Sequence, residues 1–186
     1  MVLDDVEELY HGSYMVVKKP LLSKCVPGKD FGLGFYLTTD INQAKRFVRS
    51  SIGKAKKNGI ELEEVLKGYV SSYHCLDKDS LKIYEFETAN SEWLHCVVAH
   101  RKSDLLSSEI NKWKSYDVII GKIANDTTNQ VITAYINGLY GEVGSDEADT
   151  TAIRLLKPEK LSNQLCFRTE NAINSLTFVS GEEVNV

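Results

Sequence analysis

Apolar and polar positions alternate or recur regularly enough to divide this chain into short extended and helical stretches. Residues 8–12 read as a short strand, continued or paired by Met15-Val16-Val17. Residues 18–33 hold Pro20, Pro27, Gly28, Gly32 and several charges, which is the composition of a loop. Residues 34–38 read as a buried strand of aromatic and aliphatic side chains. A helix follows: Asp40 is a good N-cap, Gln43 completes a capping-box pattern, and Ile41, Ala44, Phe47 or Val48, and Ile52 recur at helical spacing. The basic, glycine-flanked stretch 53–59 is expected to end it.

Residues 64–76 form the longest strand candidate, with Val65, Tyr69, Tyr73 and Cys75 sharing one alternation, and residues 81–86 form another. Asn90 or Ser91 caps a helix that carries Trp93, Leu94, Val97 and Val98 and ends near Arg101. Residues 102–114 are polar with Leu105, Leu106, Ile110 and Trp113 interspersed, either a second helix or a lid. Asp117-Val118-Ile119-Ile120-Gly121 is a strong buried strand. A helix from about Thr128 carries Val131, Ile132, Tyr135, Ile136 and Leu139 and stops at Gly141. The acidic run 142–150 reads as loop, and 152–156 as a short helix or turn before Pro158. Residues 164–168 are a strand, Thr169 caps a short helix through Ile173, and residues 176–179 are the last strand. Strands outnumber long helices without alternating strictly with them, so the expected class is α+β, in a single domain over 1–186.

A chain of 186 residues with 42% hydrophobic and 26% charged residues can bury a real core. No apolar run approaches a membrane span, and the acidic start lacks the features of a signal peptide, which makes the cytoplasm the expected compartment. Cys25, Cys75, Cys96 and Cys166 are scattered and form no C-x-x-C pair, so a zinc site is not expected. The net charge of −4 argues against a broad nucleic-acid footprint, and the runs Lys18-Lys19, Lys54-Ala55-Lys56-Lys57 and Arg101-Lys102 read as solvated faces.

Three strings stand out as candidate chemistry. His11 ends a short strand between Tyr10 and Gly12, where it can exchange hydrogen bonds with a ligand hydroxyl. Gly12 can let a ligand approach the backbone, and Ser13 offers a second hydroxyl. Tyr36, two residues past Gly34, can present a ring face to a flat heteroaromatic ligand. The glycines at 32 and 34 precede a strand instead of opening a helix, which argues against a dinucleotide-binding βαβ site. Gln164 begins a strand and means little by itself.

The ordered set of these strings resembles the His, Tyr and Glu/Gln triad of the ADP-ribosyltransferase superfamily. The stretch G-L-G-F-Y-L-T-T-D-I-N-Q-A-K-R-F at 32–47 is similar to the glycine-tyrosine strand and following helix of poly(ADP-ribose) polymerases and related bacterial transferases. His11-Gly12-Ser13 resembles their first motif. The strings at 116–126 and 164–169 are similar to a bacterial family of unknown function placed in that superfamily, and the resemblance spans roughly residues 8–180. It implies a transferase-like domain with a split mixed sheet flanked by helices. NAD would be the co-substrate and a protein or nucleic acid the acceptor, with no metal and no membrane. It also implies a role as the toxin of a bacterial toxin–antitoxin pair, with an antitoxin protein as partner. The basic runs would then steer the anionic dinucleotide.

Carried over, His11 would bond the adenosine-ribose hydroxyl, Tyr36 would pack beneath the nicotinamide ring, and Gln164 would sit near the other ribose. Gly12, Ser13 and Gly34 would line the cofactor site. Phe47 falls where relatives place a second stacking aromatic, although its helical spacing suits the core. The implied reaction breaks the nicotinamide–ribose bond through an oxocarbenium-like transition state. The commoner Glu would place a negative charge beside that cation; Gln164 has only a dipole, with Glu170 and Asp126 as candidates for the missing carboxylate. On this reading Gln164→Glu keeps or raises turnover, and Tyr36→Phe preserves the stacking. The alternatives are an NAD glycohydrolase and a catalytically silent module that binds a nucleotide or a protein.

Overall fold

The computed structural model describes residue 3 and residues 6–61, 67–124 and 126–185. Among them, the chain runs β1 (Leu9–Ser13), β2 (Phe35–Leu37), α1 (Ile41–Lys57), β3 (Lys67–Cys75), β4 (Ile83–Glu85) and α2 (Ser91–Arg101). It continues through α3 (Ile110–Trp113), β5 (Val118–Lys122), α4 (Asp126–Ile136), α5 (Asp146–Leu156), β6 (Asn163–Phe167), α6 (Glu170–Asn174) and β7 (Leu176–Asn185). The class is α+β, as the mixed pattern of periods predicts. No helix of the described residues is long and apolar enough to cross a membrane.

Two sheets organise these elements. β1, β3 and β7 form an antiparallel sheet with β3 in the middle, and β2, β6, β5 and β4 form a second in that order. Within the second, β4 and β5 run parallel and the other pairs antiparallel. The sheets meet at an isolated bridge, Tyr10 N donating to Thr38 O at 2.8 Å and Thr38 N to Tyr10 O at 3.0 Å.

Alternation sorts the second sheet onto two cores. Phe35, Leu37, Val118, Ile120, Leu165 and Phe167 pack with Leu9 and Tyr73 of the first sheet. On the opposite side, Ile119 and Cys166 join Trp93, Cys96 and Val97 of α2, Ile132 and Tyr135 of α4, and Ala148 and Ala152 of α5. With apolar layers on both faces, β5 reads as the near-continuous run Val118-Ile119-Ile120. Helix α1 lays Ala44, Val48 and Ile52 over Val70 of β3. Gly12 sets its distance from β1, since a Cβ there would stand 1.9 Å from Ala44 O.

Local chemistry explains the helix starts. Asp40 caps α1 by accepting from Asn42 N at 2.8 Å, Asn90 caps α2 through Trp93 N at 2.9 Å, and Thr169 caps α6 through Ala172 N at 3.1 Å. The capping box does not close: Gln43 instead donates from Nε2 to Asn163 O at 3.3 Å. Helix α1 also runs on through Gly53, whose missing side chain faces open space, to Lys57.

Of the acidic run 142–150 read as loop, 142–145 lie outside any helix, but 146–150 open α5. Ser145 caps it through Ala148 N, and Asp146, Glu147 and Asp149 sit against the positive end of the helix dipole. Of 102–114, residues 110–113 are the helix α3. β7 is far longer than its apolar stretch, because 180–185 are an exposed, charged edge. Met15-Val16-Val17 is not a strand: Val17 N donates to Ser71 Oγ at 3.0 Å and Val17 O accepts from the Tyr73 hydroxyl. Val65 lies outside the described residues.

Candidate functional site

Tyr36 and Gln164 come from neighbouring strands and share a face. Tyr36 pairs with Cys166 across β2 and β6, and Gln164 lies two residues from Cys166 on the same side of the pleat. That side looks toward α2. His11 comes from β1, across the junction of the two sheets.

His11 closes part of that junction. Its Nδ1 lies 2.9 Å from Tyr36 O, a carbonyl that can only accept, so Nδ1 carries the proton and Nε2 is left as an acceptor. Burial holds the His11 pKa below its ordinary 6.5, partly offset by this hydrogen bond. The ring lies against Phe35, with centroids 4.5 Å apart.

The Tyr36 hydroxyl is engaged. It donates to Gly32 O at 2.8 Å and accepts from Phe31 N at 3.0 Å, so the ring is fixed at its hydroxyl end. Burial raises its pKa, and Cys166 nearby adds to the effect. The pinned loop leaves no room at Gly32, which has φ +81 and whose Cβ would stand 2.5 Å from His100 Cδ2 of α2. Gly34 is packed as closely, its missing Cβ 2.5 Å from Cys166 Sγ. Burial pushes the Cys166 thiol up to about 12, which leaves it a poor nucleophile.

Gln164 is buried and does not face solvent as a surface glutamine would. Its Nε2 donates to Asp30 Oδ2 at 2.7 Å and lies 3.5 Å from Lys122 O. Asp30 Oδ2 also accepts from Ala124 N at 3.1 Å. Its Oδ1 takes a two-pronged contact from Arg101, Nε at 2.9 Å and Nη2 at 2.6 Å. Arg101 Nη1 donates in turn to Asn129 Oδ1 of α4 at 2.7 Å. A carboxylate only accepts, so the amide must turn its NH2 toward Asp30. Gln164 Oε1 is thereby presented on the other side, with no hydrogen-bond partner among the described residues.

The remaining sequence candidates fall elsewhere. Ser13 is buried, its hydroxyl 3.5 Å from Ser51 Oγ, and it ties β1 to α1. Phe47 is 41% exposed, which corrects the expectation of a core residue: the apolar stripe of α1 passes through Ala44 and Val48 instead. Glu170 is exposed at the start of α6, beyond the far end of β6 from Gln164. The side chain of Asp126 lies outside the described residues. Lys18 and Lys19 border a shallow depression with Asn174 and Phe178, whose lining includes neither Tyr36 nor Gln164. Among the described residues, no group of His, Cys, Asp and Glu is placed to hold a metal ion.

Two members of the site were not anticipated. Asp30 lay in a stretch read only as loop, and Arg101 in a run read as a solvated face. The one available signal was their type: an Asp beside a glycine-rich turn, and an Arg at the end of a largely apolar helix.

Residues 8–178 match the model of a family described as protein of unknown function (DUF3990), and the chain belongs to that family. No curated protein matches the sequence.

Proposed function

We propose that this DUF3990 member cleaves the nicotinamide–ribose bond of NAD and transfers the ADP-ribosyl group to a macromolecular acceptor. The observation that carries the reading is the grouping of Tyr36 and Gln164 on one face, with His11 bonded to the Tyr36 backbone where the two sheets join. These are the residues that the family resemblance puts in the triad. Two sheets that meet at the Tyr10–Thr38 bridge also suit the split sheet that it implies.

Each side chain has a part to play. The Tyr36 ring, fixed at its hydroxyl, is a ready surface for the nicotinamide ring. His11 Nε2 and Gln164 Oε1 are acceptors for ribose hydroxyls, and holding both sugars limits the geometries from which the bond can break. The C–N bond breaks with its electron pair leaving on nicotinamide, which departs neutral. The ribose carbon then bonds to a nucleophile of the acceptor, which loses a proton. The protein's contribution is position and stabilisation of the transient cation.

NAD labelled in its adenylate half, incubated with the protein and a cell lysate, tests this. The expected result is nicotinamide release with label in a protein or nucleic-acid fraction. Release with all label in free ADP-ribose would instead make the protein a glycohydrolase, and binding without release a silent module. The toxin role rests on the resemblance alone. It predicts that expression in a bacterium arrests growth and that Gln164→Ala relieves the arrest.

A further inference from the structure

We infer that Asp30 is a positioning residue that supplies, through the Gln164 amide, the negative charge that a glutamate would otherwise bring to the site; this rests on the NAD-cleavage reading above. Three features of the geometry carry it. Asp30 Oδ2 is 2.7 Å from Gln164 Nε2, and the carboxylate is buried. The Arg101 fork is confined to Oδ1, leaving Oδ2 to the amide and to Ala124 N. Gln164 Oε1, at the far side of the amide, has no partner among the described residues.

A charge-assisted hydrogen bond to one end of an amide draws electron density toward its oxygen, and burial strengthens the effect. Oε1 thus becomes a stronger acceptor for a ribose hydroxyl and a more negative neighbour for the developing oxocarbenium. Asp30 forms no covalent bond and moves no proton; the bond broken is still nicotinamide to ribose.

The arrangement reverses the simple expectation for Gln164→Glu. A glutamate at 164 would put a second carboxylate at hydrogen-bond distance from Asp30, where two like charges cannot both ionise without cost. Glutamine is therefore the residue that this site requires. Because the charge resides on Asp30, exchanging the two groups should preserve the arrangement: in Asp30→Asn with Gln164→Glu, the new amide donates to the new carboxylate. Recovery is partial, because the exchange leaves Arg101 facing a neutral amide oxygen in place of a carboxylate, and the NH2 at position 30 cannot accept from Ala124 N as Asp30 Oδ2 does.

The test compares wild type, the two single variants and the double variant by nicotinamide release and by melting temperature. Gln164→Glu should lose about tenfold or more in kcat and melt below wild type. Asp30→Asn should lose a similar factor in kcat, with KM for NAD changed less than about threefold. The double variant should regain about tenfold over Gln164→Glu and recover part of its melting temperature. A double variant no better than Gln164→Glu, or a Gln164→Glu as active as wild type, overturns the inference. A wild type that releases no nicotinamide overturns the reading beneath it. Melting temperatures that ignore the exchange, whatever the activity, overturn the pairing itself.

Discussion

The Tyr36 hydroxyl shows how one atom can join a loop to a strand. Its two hydrogen bonds fix the backbone at Phe31 and Gly32, directly after Asp30. Tyr36→Phe keeps the ring but orphans Phe31 N beside a fully buried side chain, so it should cost about 1–3 kcal/mol. Urea unfolding of wild type and Tyr36→Phe measures this, and a midpoint unchanged in the variant contradicts it. An aromatic in a strand was legible in the sequence. That its hydroxyl would be occupied was not, because this depends on the left-handed turn at Gly32.

Protons act at the same scale. Burial lowers the pKa of His11 and of His100 from the ordinary 6.5, and Arg168 adds to the effect at His100. The unfolded chain therefore takes up protons near pH 6.5, where the folded chain still resists them. Stability from this source is complete above pH 6.5 and declines as pH falls through that value toward the folded pKa values. Melting temperature between pH 7.5 and 5.5 should fall, and replacing either histidine by a neutral residue should shallow the slope. A flat profile contradicts the assignment.

Among elements, the legible parts were those encoded within a few residues. Asp40, Asn90 and Thr169 all cap the helices expected of them. The first half of helix α5 was missed, although 152–156 was read as a short helix or turn, because its acidic first turn carries no apolar period. Its place is set from outside, by Tyr135 of α4 donating to Asp149 and by His95 Nε2 of α2 lying 2.7 Å from Asp149 Oδ2. Asp30 was illegible for the same reason, since its partners Arg101, Ala124 and Gln164 lie 71, 94 and 134 residues away. The contact between β1 and α1 depends on Gly12. A methyl there would meet the Ala44 carbonyl at 1.9 Å, so Gly12→Ala should destabilise by about 2 kcal/mol or more. Denaturant titration checks this, and a stable variant would mean that the helix can retreat freely.

At the scale of the molecule, strand order was beyond the pattern. Alternation can place residues on faces, but β1-β3-β7 and β2-β6-β5-β4 join strands far apart in sequence. That order is what sets His11, Tyr36 and Gln164 around one junction, and it brings Asp30 and Phe31 of the 18–33 loop against β6. Arg101 then links the loop, α2 and α4 through Asp30 and Asn129. We propose that this junction breaks the nicotinamide–ribose bond, with Gln164 Oε1 accepting from a ribose hydroxyl. This proposal is tested most directly by nicotinamide release at saturating NAD from wild type and Gln164→Ala, with melting temperatures alongside. The account predicts release by wild type and a fall of about tenfold or more in Gln164→Ala, which stays folded because Asp30 keeps Arg101 and Ala124. Equal rates from the two folded proteins, or none from wild type, would contradict it.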